Sequence, residues 1–263
     1  MWITLCRKSV GHAIIRAYCG KLRKNGKFKE REMRYNKNIY EGIFVKRPNR
    51  FNAEVILNDE ILTVHVPNTG RCKEILKEGT RVFLREELNP NRKTKYDLIA
   101  AMKGDILISI DSQIPNKVVF EALNDGKIEK LKKYTNILKE KTFGKSRFDF
   151  KLSTEDEDEQ YFLEVKGVTL EENGYSRFPD APTERGARHI LELIEAKREG
   201  YGAGILFLIQ IENVTRFSPK DDTDPAFGEA LRLAAKSGID IFAYNCKVYK
   251  DGIIINNPVE IVL

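Results

Sequence analysis

Two stretches, Arg147-Phe148-Asp149-Phe150-Lys151-Leu152 and Tyr161-Phe162-Leu163-Glu164-Val165-Lys166, flank the acidic run Glu155 to Glu159. The first alternates polar and apolar residues, the signature of a half-buried strand, and the second pairs with it as a hairpin. If the loop is symmetric about residues 156 and 157, Phe148 faces Val165, Phe150 faces Leu163 and Leu152 faces Tyr161. One face of the hairpin is then apolar, and the hydrophobic pattern selects the register. The other face collects charge, with Asp149 opposite Glu164 and Arg147 opposite Lys166.

Two carboxylates directly across a ladder stand only about 5 Å apart at Cβ and repel. A hard divalent cation offsets that repulsion, because Mg²⁺ or Mn²⁺ prefers carboxylate and water oxygens and can bridge to a phosphate. Lys166, two residues beyond Glu164 on the same face, projects where an ammonium orients a water or neutralises a phosphoryl oxygen. That set suits metal-assisted phosphodiester hydrolysis. Taken alone, Arg147, Asp149, Glu164 and Lys166 read slightly better as a surface ion-pair lattice, since Glu-x-Lys on a strand is common.

Outward from the hairpin, the C-terminal part reads as α/β. An amphipathic helix is expected over Lys117 to Leu131, interrupted at Gly126, and a second over Glu184 to Glu199 between Thr183 as N-cap and Gly200. An apolar strand (Ala203 to Ile211), a helix (Pro225 to Ser237, ended by Gly238) and a strand (Ile239 to Tyr249) follow, which implies a mixed sheet with helices packed on it. Toward the N-terminus, short strands are expected at Gly42 to Lys46, Arg50 to Leu57, Ile61 to Val66, Arg81 to Arg85, Tyr96 to Met102 and Ile106 to Ile110. Turn residues separate them, as at Asn58-Asp59 and Asn89-Pro90-Asn91. Such short strands suit a small OB-like β-barrel, with a helical turn or two at Arg71 to Lys77 closed by Gly79. The division is therefore a basic extension (1–32), a barrel domain (33–110) and an α/β domain (111–263).

The chain has 263 residues, 41% of them hydrophobic, enough for a packed core, and a formal net charge of +6. The charge is uneven: residues 1–32 carry nine Lys/Arg against two Glu. That segment reads as a loose basic tail, a functional arm or a transit-type leader. Without it the chain is nearly neutral, so a nucleic-acid reading rests on local patches. Basic residues gather at the barrel turns, with Arg47 and Arg50, Arg71 and Lys73, and Arg92, Lys93 and Lys95; such turns suit phosphate contacts. No apolar run spans a bilayer, so a cytoplasmic protein without membrane contact is expected. Cys6, Cys19, Cys72 and Cys246 form no CxxC pair, which argues against zinc or a disulfide framework. With only His12, His65 and His189, and without a nucleophile elbow or phosphate-cradling glycine loop, Ser-His and nucleotide-hydrolase chemistry are poor readings. Oligomeric state is left open, a homodimer included.

Ser146-Arg147-Phe148-Asp149 followed by Glu164-Val165-Lys166 resembles the PD-(D/E)xK nuclease motif, with Phe148 where proline is common. The segments Asn49-Arg50-Phe51, His65-Val66-Pro67-Asn68-Thr69-Gly70, Gln113-Ile114-Pro115-Asn116, Glu164 to Leu170, Phe178 to Gly186 and Arg216 to Pro219 together resemble the sugar fermentation stimulation protein A family. Arg71-Cys72 departs from the pattern. The resemblance, from about Met33 to the C-terminus, implies an OB-like domain, a PD-(D/E)xK nuclease-like α/β domain, and DNA binding linked to sugar-metabolism genes. It also implies a metal set of Glu121, Asp149 and Glu164, with Lys166 completing the catalytic residues. Glu121 on its helix reads equally as a solvated charge. Arg185 and His189, four apart on one helix face, read as a phosphate site or as a charge cluster. Arg50, Arg71, Arg92, Lys93, Arg147, Arg185 and His189 are thus the expected DNA contacts. Three readings follow: a DNA nuclease, a DNA-binding regulator that keeps the fold without the reaction, and, from the family name alone, a sugar or sugar-phosphate binding module.

Overall fold

In the computed structural model residues 33–263 are described; the basic extension 1–32, with His12, Cys6 and Cys19, lies outside the described residues. The chain enters through β1 (Met33–Arg34) and then runs through six strands: β2 (Ile39–Lys46), β3 (Asn52–Leu57), β4 (Glu60–His65), β5 (Arg81–Glu86), β6 (Tyr96–Lys103) and β7 (Ile106–Ser109). These six pair in the order β4-β3-β2-β5-β6-β7, and a parallel bridge between His65 of β4 and Asp97 of β6 closes the sheet. The result is the expected OB-type barrel. Asn58 and Asp59 join β3 to β4 with φ of 52° and 65°, the left-handed pair that a two-residue hairpin turn requires. Gly42 allows β2 to bend over β3, since a Cβ there would lie 2.7 Å from Val55 Cγ1 and 2.8 Å from Ile56 O. Alternating residues such as Ala53, Val55 and Leu57 point into the core.

Of the helical turn or two expected at Arg71 to Lys77 there is one, in which the Cys72 carbonyl accepts from Leu76 N at 2.8 Å, with Cys72 itself at φ 48° and Gly79 at φ 81°.

The α/β part opens with α1 (Pro115–Asn124), whose proline occupies the first turn, where a missing N–H costs nothing. Gly126, at φ 65°, ends it, and a 3-10 turn follows at Glu129–Leu131. Then come β8 (Asn136–Phe143), β9 (Ser146–Ser153), β10 (Gln160–Val168), β11 (Leu170–Glu172) and β12 (Tyr175–Phe178). They are followed by α2 (Glu184–Arg198), β13 (Gly202–Ile209), β14 (Arg216–Pro219), α3 (Pro225–Lys236), β15 (Asp240–Tyr249), β16 (Gly252–Pro258) and β17 (Glu260–Ile261). Thr183 caps α2 by accepting from Gly186 N, and Asp224 caps α3 by accepting from Phe227 N.

A seven-stranded mixed sheet runs β1-β16-β15-β13-β10-β9-β8, with β10, β13 and β15 parallel at its centre. One face packs against α1, where Val118, Val119 and Leu123 join Leu163, Leu206 and Leu208. The other packs against α2 and α3, where Ile190, Leu193 and Leu231 join Ile205 and Phe207. Met33 and Arg34, assigned by sequence to the barrel segment, pair instead with Ile253 and Gly252 of β16 and extend this sheet. A small sheet, β11-β12-β14-β17, flanks it. Barrel and α/β part are joined by hydrogen bonds at Gln210: Ser109 N donates to its main-chain O at 3.1 Å, and its side-chain Nε2 donates to Ser109 O and Asp111 O at 3.0 and 3.1 Å. Both remaining cysteines, Cys72 and Cys246, are free and buried. Among the described residues no helix is long and apolar enough to cross a membrane.

Candidate active site

The predicted hairpin register holds at its base, where Leu152 pairs with Tyr161 and Phe150 with Leu163, and there the ladder stops. At Asp149 the strands part. Its carboxylate replaces the backbone acceptor, taking the Val165 N–H on Oδ2 at 2.8 Å. Phe148 does not oppose Val165: it packs with Phe162 and His189 on the α2 face, while Phe150 stacks with Phe120 on the α1 face. The single charged face expected of the hairpin is absent as well. Because β10 lies inside the sheet with helices on both sides, Phe162 and Glu164 are buried along with Leu163 and Val165.

Asp149, Glu164 and Lys166 are nevertheless brought together. Asp149 Oδ1 accepts from Asn116 Nδ2 at 2.6 Å, so the first turn of α1 anchors the strand acid. Glu164, with a side chain only 4% exposed, receives Lys166 Nζ at 2.6 Å and His189 Nδ1 at 2.7 Å, both on Oε1. That bond places the imidazole proton on Nδ1 and leaves Nε2 to accept from Arg185 Nε at 3.3 Å. Glu164 Oε2 is buried with no hydrogen-bond partner among the described residues.

These environments push the two acids apart. Burial, then the Glu164 charge, raises the Asp149 carboxyl to about 6, against the bonds from Val165 N–H and Asn116. Burial also opposes ionisation of Glu164, but the His189 hydrogen bond and the Lys166 charge outweigh it and hold the acid below its ordinary value. Glu164 is the settled anion, and Asp149 is the acid that ionises near neutrality.

Other expected site residues fare differently. Glu121 lies half-buried on α1, five residues after Asn116 and so about 140° around the helix and about 7.5 Å further along it. Among the described residues no three His, Cys, Asp or Glu side chains form a ready-made ligand set. His189 is buried with both ring nitrogens engaged, which removes it as a phosphate contact. Arg92 is spent on Asp97 and Glu87 in a network where Arg85 also bonds Asp97 at 2.9 Å and Asp111 at 3.0 Å. The buried Asp97 needs these cations, so Arg92 serves the barrel rather than a ligand. Arg47 likewise staples the turns, donating to the carbonyls of Arg50, Asn68, Gly70 and Arg71. Arg50, Arg71, Lys93, Arg147 and Arg185 remain exposed, Arg147 beside Glu140 at 3.6 Å. Sequence reading gave no role to Asn116, although Pro115-Asn116 at a helix start was the available signal.

Known proteins agree with this architecture. Residues 113–252 match the sugar fermentation stimulation protein RE domain, and residues 45–110 match the SfsA N-terminal OB domain. A sugar fermentation stimulation protein homolog from Clostridium perfringens (strain SM101 / Type A) is 70% identical over 231 residues, 88% of this chain and 100% of the relative. A homolog from Clostridium botulinum (strain Kyoto / Type A2) is 65% identical over 229 residues, 87% of this chain and 99% of the relative. The solved structure of Pyrococcus furiosus SfsA in complex with Ca²⁺ superposes with a TM-score of 0.80 at 27% identity, covering 89% of this chain and 100% of that one. With both domain matches in chain order and an identity of 70% over nearly the whole described region, the chain belongs to the sugar fermentation stimulation protein family.

Proposed function

We propose that the protein binds DNA and hydrolyses its phosphodiester bonds, with Asp149 and Glu164 holding a divalent cation, Mg²⁺ or Mn²⁺. The observation that carries this reading is Glu164 Oε2, a buried carboxylate oxygen without a partner among the described residues, beside an acid whose ionisation Glu164 opposes. A hard cation satisfies the orphaned oxygen and relieves the repulsion together. The Ca²⁺ complex of the Pyrococcus furiosus relative supports the same class of ion. When bound, such an ion polarises a phosphoryl oxygen and acidifies a water. Asn116 and the Val165 N–H orient Asp149, and His189 orients Glu164. Lys166, held on Glu164 Oε1, supplies an ammonium for the attacking water or the charge that develops on phosphate. Glu121 is left out of this set. Exposed Arg50, Arg71, Lys93, Arg147 and Arg185 track the backbone phosphates. The cellular setting we infer is the cytoplasm, in regulation of sugar-metabolism genes.

Incubation of supercoiled, linear and single-stranded DNA with Mg²⁺, Mn²⁺ or EDTA, comparing wild type with Asp149→Ala, tests the proposal. Metal-dependent cleavage that the variant lacks supports it; intact DNA under every metal refutes it. One observation favours a second reading, a regulator that grips DNA without cutting: Glu164 Oε1 is already taken by Lys166 and His189, and no third acid completes a ligand set among the described residues. Binding without cleavage in the same experiment is its signature.

A further inference from the structure

A cavity of about 160 Å³ lies where the barrel meets the α/β part, and its wall begins at Gly167, the residue after Lys166. On the barrel side it is formed by Asn68, Gly70 and Ser112; on the other, by Gly167, Arg177, Asp180 and Gln210. The walls are built rather than incidental. Asn68 donates to Ile110 O at 2.8 Å and accepts from Gly70 N at 2.7 Å, while Gln210 is tied to Ser109 and Asp111 as described. Neither glycine leaves room for a side chain. A Cβ on Gly70 would lie 2.6 Å from Asp180 Oδ2, and one on Gly167 would lie 2.6 Å from Pro115 Cγ and 2.7 Å from Gln210 Oε1.

The cavity is far smaller than the roughly 300–1,000 Å³ of sites that engulf drug-sized ligands, so it suits a single ring system. Its charges are of both signs. Among the described residues Arg177 makes only long ion pairs, 3.9 Å to Glu172 and 3.9 Å to Asp222, which leaves its donors available for shorter bonds. Asp180 is exposed, and its carboxylate offers acceptor oxygens to the cavity. A phosphate would be repelled by Asp180, and an apolar ligand would strand both charges. A nucleobase edge offers donors and acceptors side by side and answers both. We propose that this cavity is a subsite for one unstacked nucleobase of the strand whose phosphate lies at Asp149, Glu164 and Lys166. The inference rests on the DNA-binding reading above and adds to it that one nucleotide leaves the stack beside that phosphate.

The test uses the full chain with Ca²⁺ and oligonucleotides in which 2-aminopurine replaces each base in turn, reading anisotropy for binding and fluorescence for unstacking. One position brightens on binding. Arg177→Met and Asp180→Asn each abolish that brightening and weaken binding by about tenfold, the order of one bidentate base contact. Binding by anisotropy with no position brightening, or with equal brightening in both variants, overturns the subsite and leaves DNA binding standing. Absence of any binding overturns both. Thermal stabilisation of the protein by glucose 6-phosphate but not by dAMP or dGMP assigns the cavity to a sugar ligand and likewise overturns the proposal.

Discussion

Asp149 is held in a state that opposes its own ionisation, so Asp149→Asn should stabilise the metal-free protein. With the carboxyl raised from 3.8 to about 6, the folded state binds the proton more tightly than the unfolded chain does. Stability contributed by the protonated acid is present below pH 3.8 and is lost as pH rises through about 6. Above that, an ionised Asp149 costs about 3 kcal/mol. Asparagine keeps the shape, and its oxygen still accepts from Val165 N–H. Its amide can face Asn116 after that side chain turns over, so little is lost. The variant should therefore gain about 2–3 kcal/mol at pH 8 and almost nothing near pH 4, which is about 4–12 °C in Tm for a chain of this size. Urea denaturation of both proteins in EDTA at the two pH values measures it. Adding Mg²⁺ or Mn²⁺ should raise wild-type stability and leave the variant unmoved, reversing the order. A variant no more stable than wild type at pH 8 in EDTA refutes the claim that the site stores carboxylate repulsion.

Three further outcomes are expected. His189→Ala leaves the buried Glu164 with Lys166 alone, and should cost about 3–5 kcal/mol by denaturation and weaken cation binding by calorimetry. Lys166→Met should abolish metal-dependent cleavage with DNA affinity nearly intact, whereas Lys93→Met should weaken binding and spare cleavage at saturating DNA. DNA affinity should fall with salt at a log–log slope of about −4 to −5 if Arg50, Arg71, Lys93, Arg147 and Arg185 each neutralise a phosphate. A flat salt profile removes these residues from the interface.

Much of the fold was legible because its signals are local. Alternation chose the hairpin register at Leu152 to Tyr161 and Phe150 to Leu163, Asn58-Asp59 marked a two-residue turn, and Thr183 and Gly126 marked helix ends. Asp149, Glu164 and Lys166 were legible as a group from strand spacing together with the family resemblance, although the direct pairing of Asp149 with Glu164 that the spacing predicted is not formed. Tertiary structure alone decided what surrounds them. Asn116 reaches Asp149 across 33 residues, and His189 reaches Glu164 across 25. Arg92 is drawn to Asp97 because that acid is buried, a fact no spacing reveals. Met33 and Arg34 join β16, more than 200 residues away. Periodicity records which face of an element is apolar. The protonation, orientation and availability of a charged group depend on the elements that cover it, and those come from distant parts of the chain.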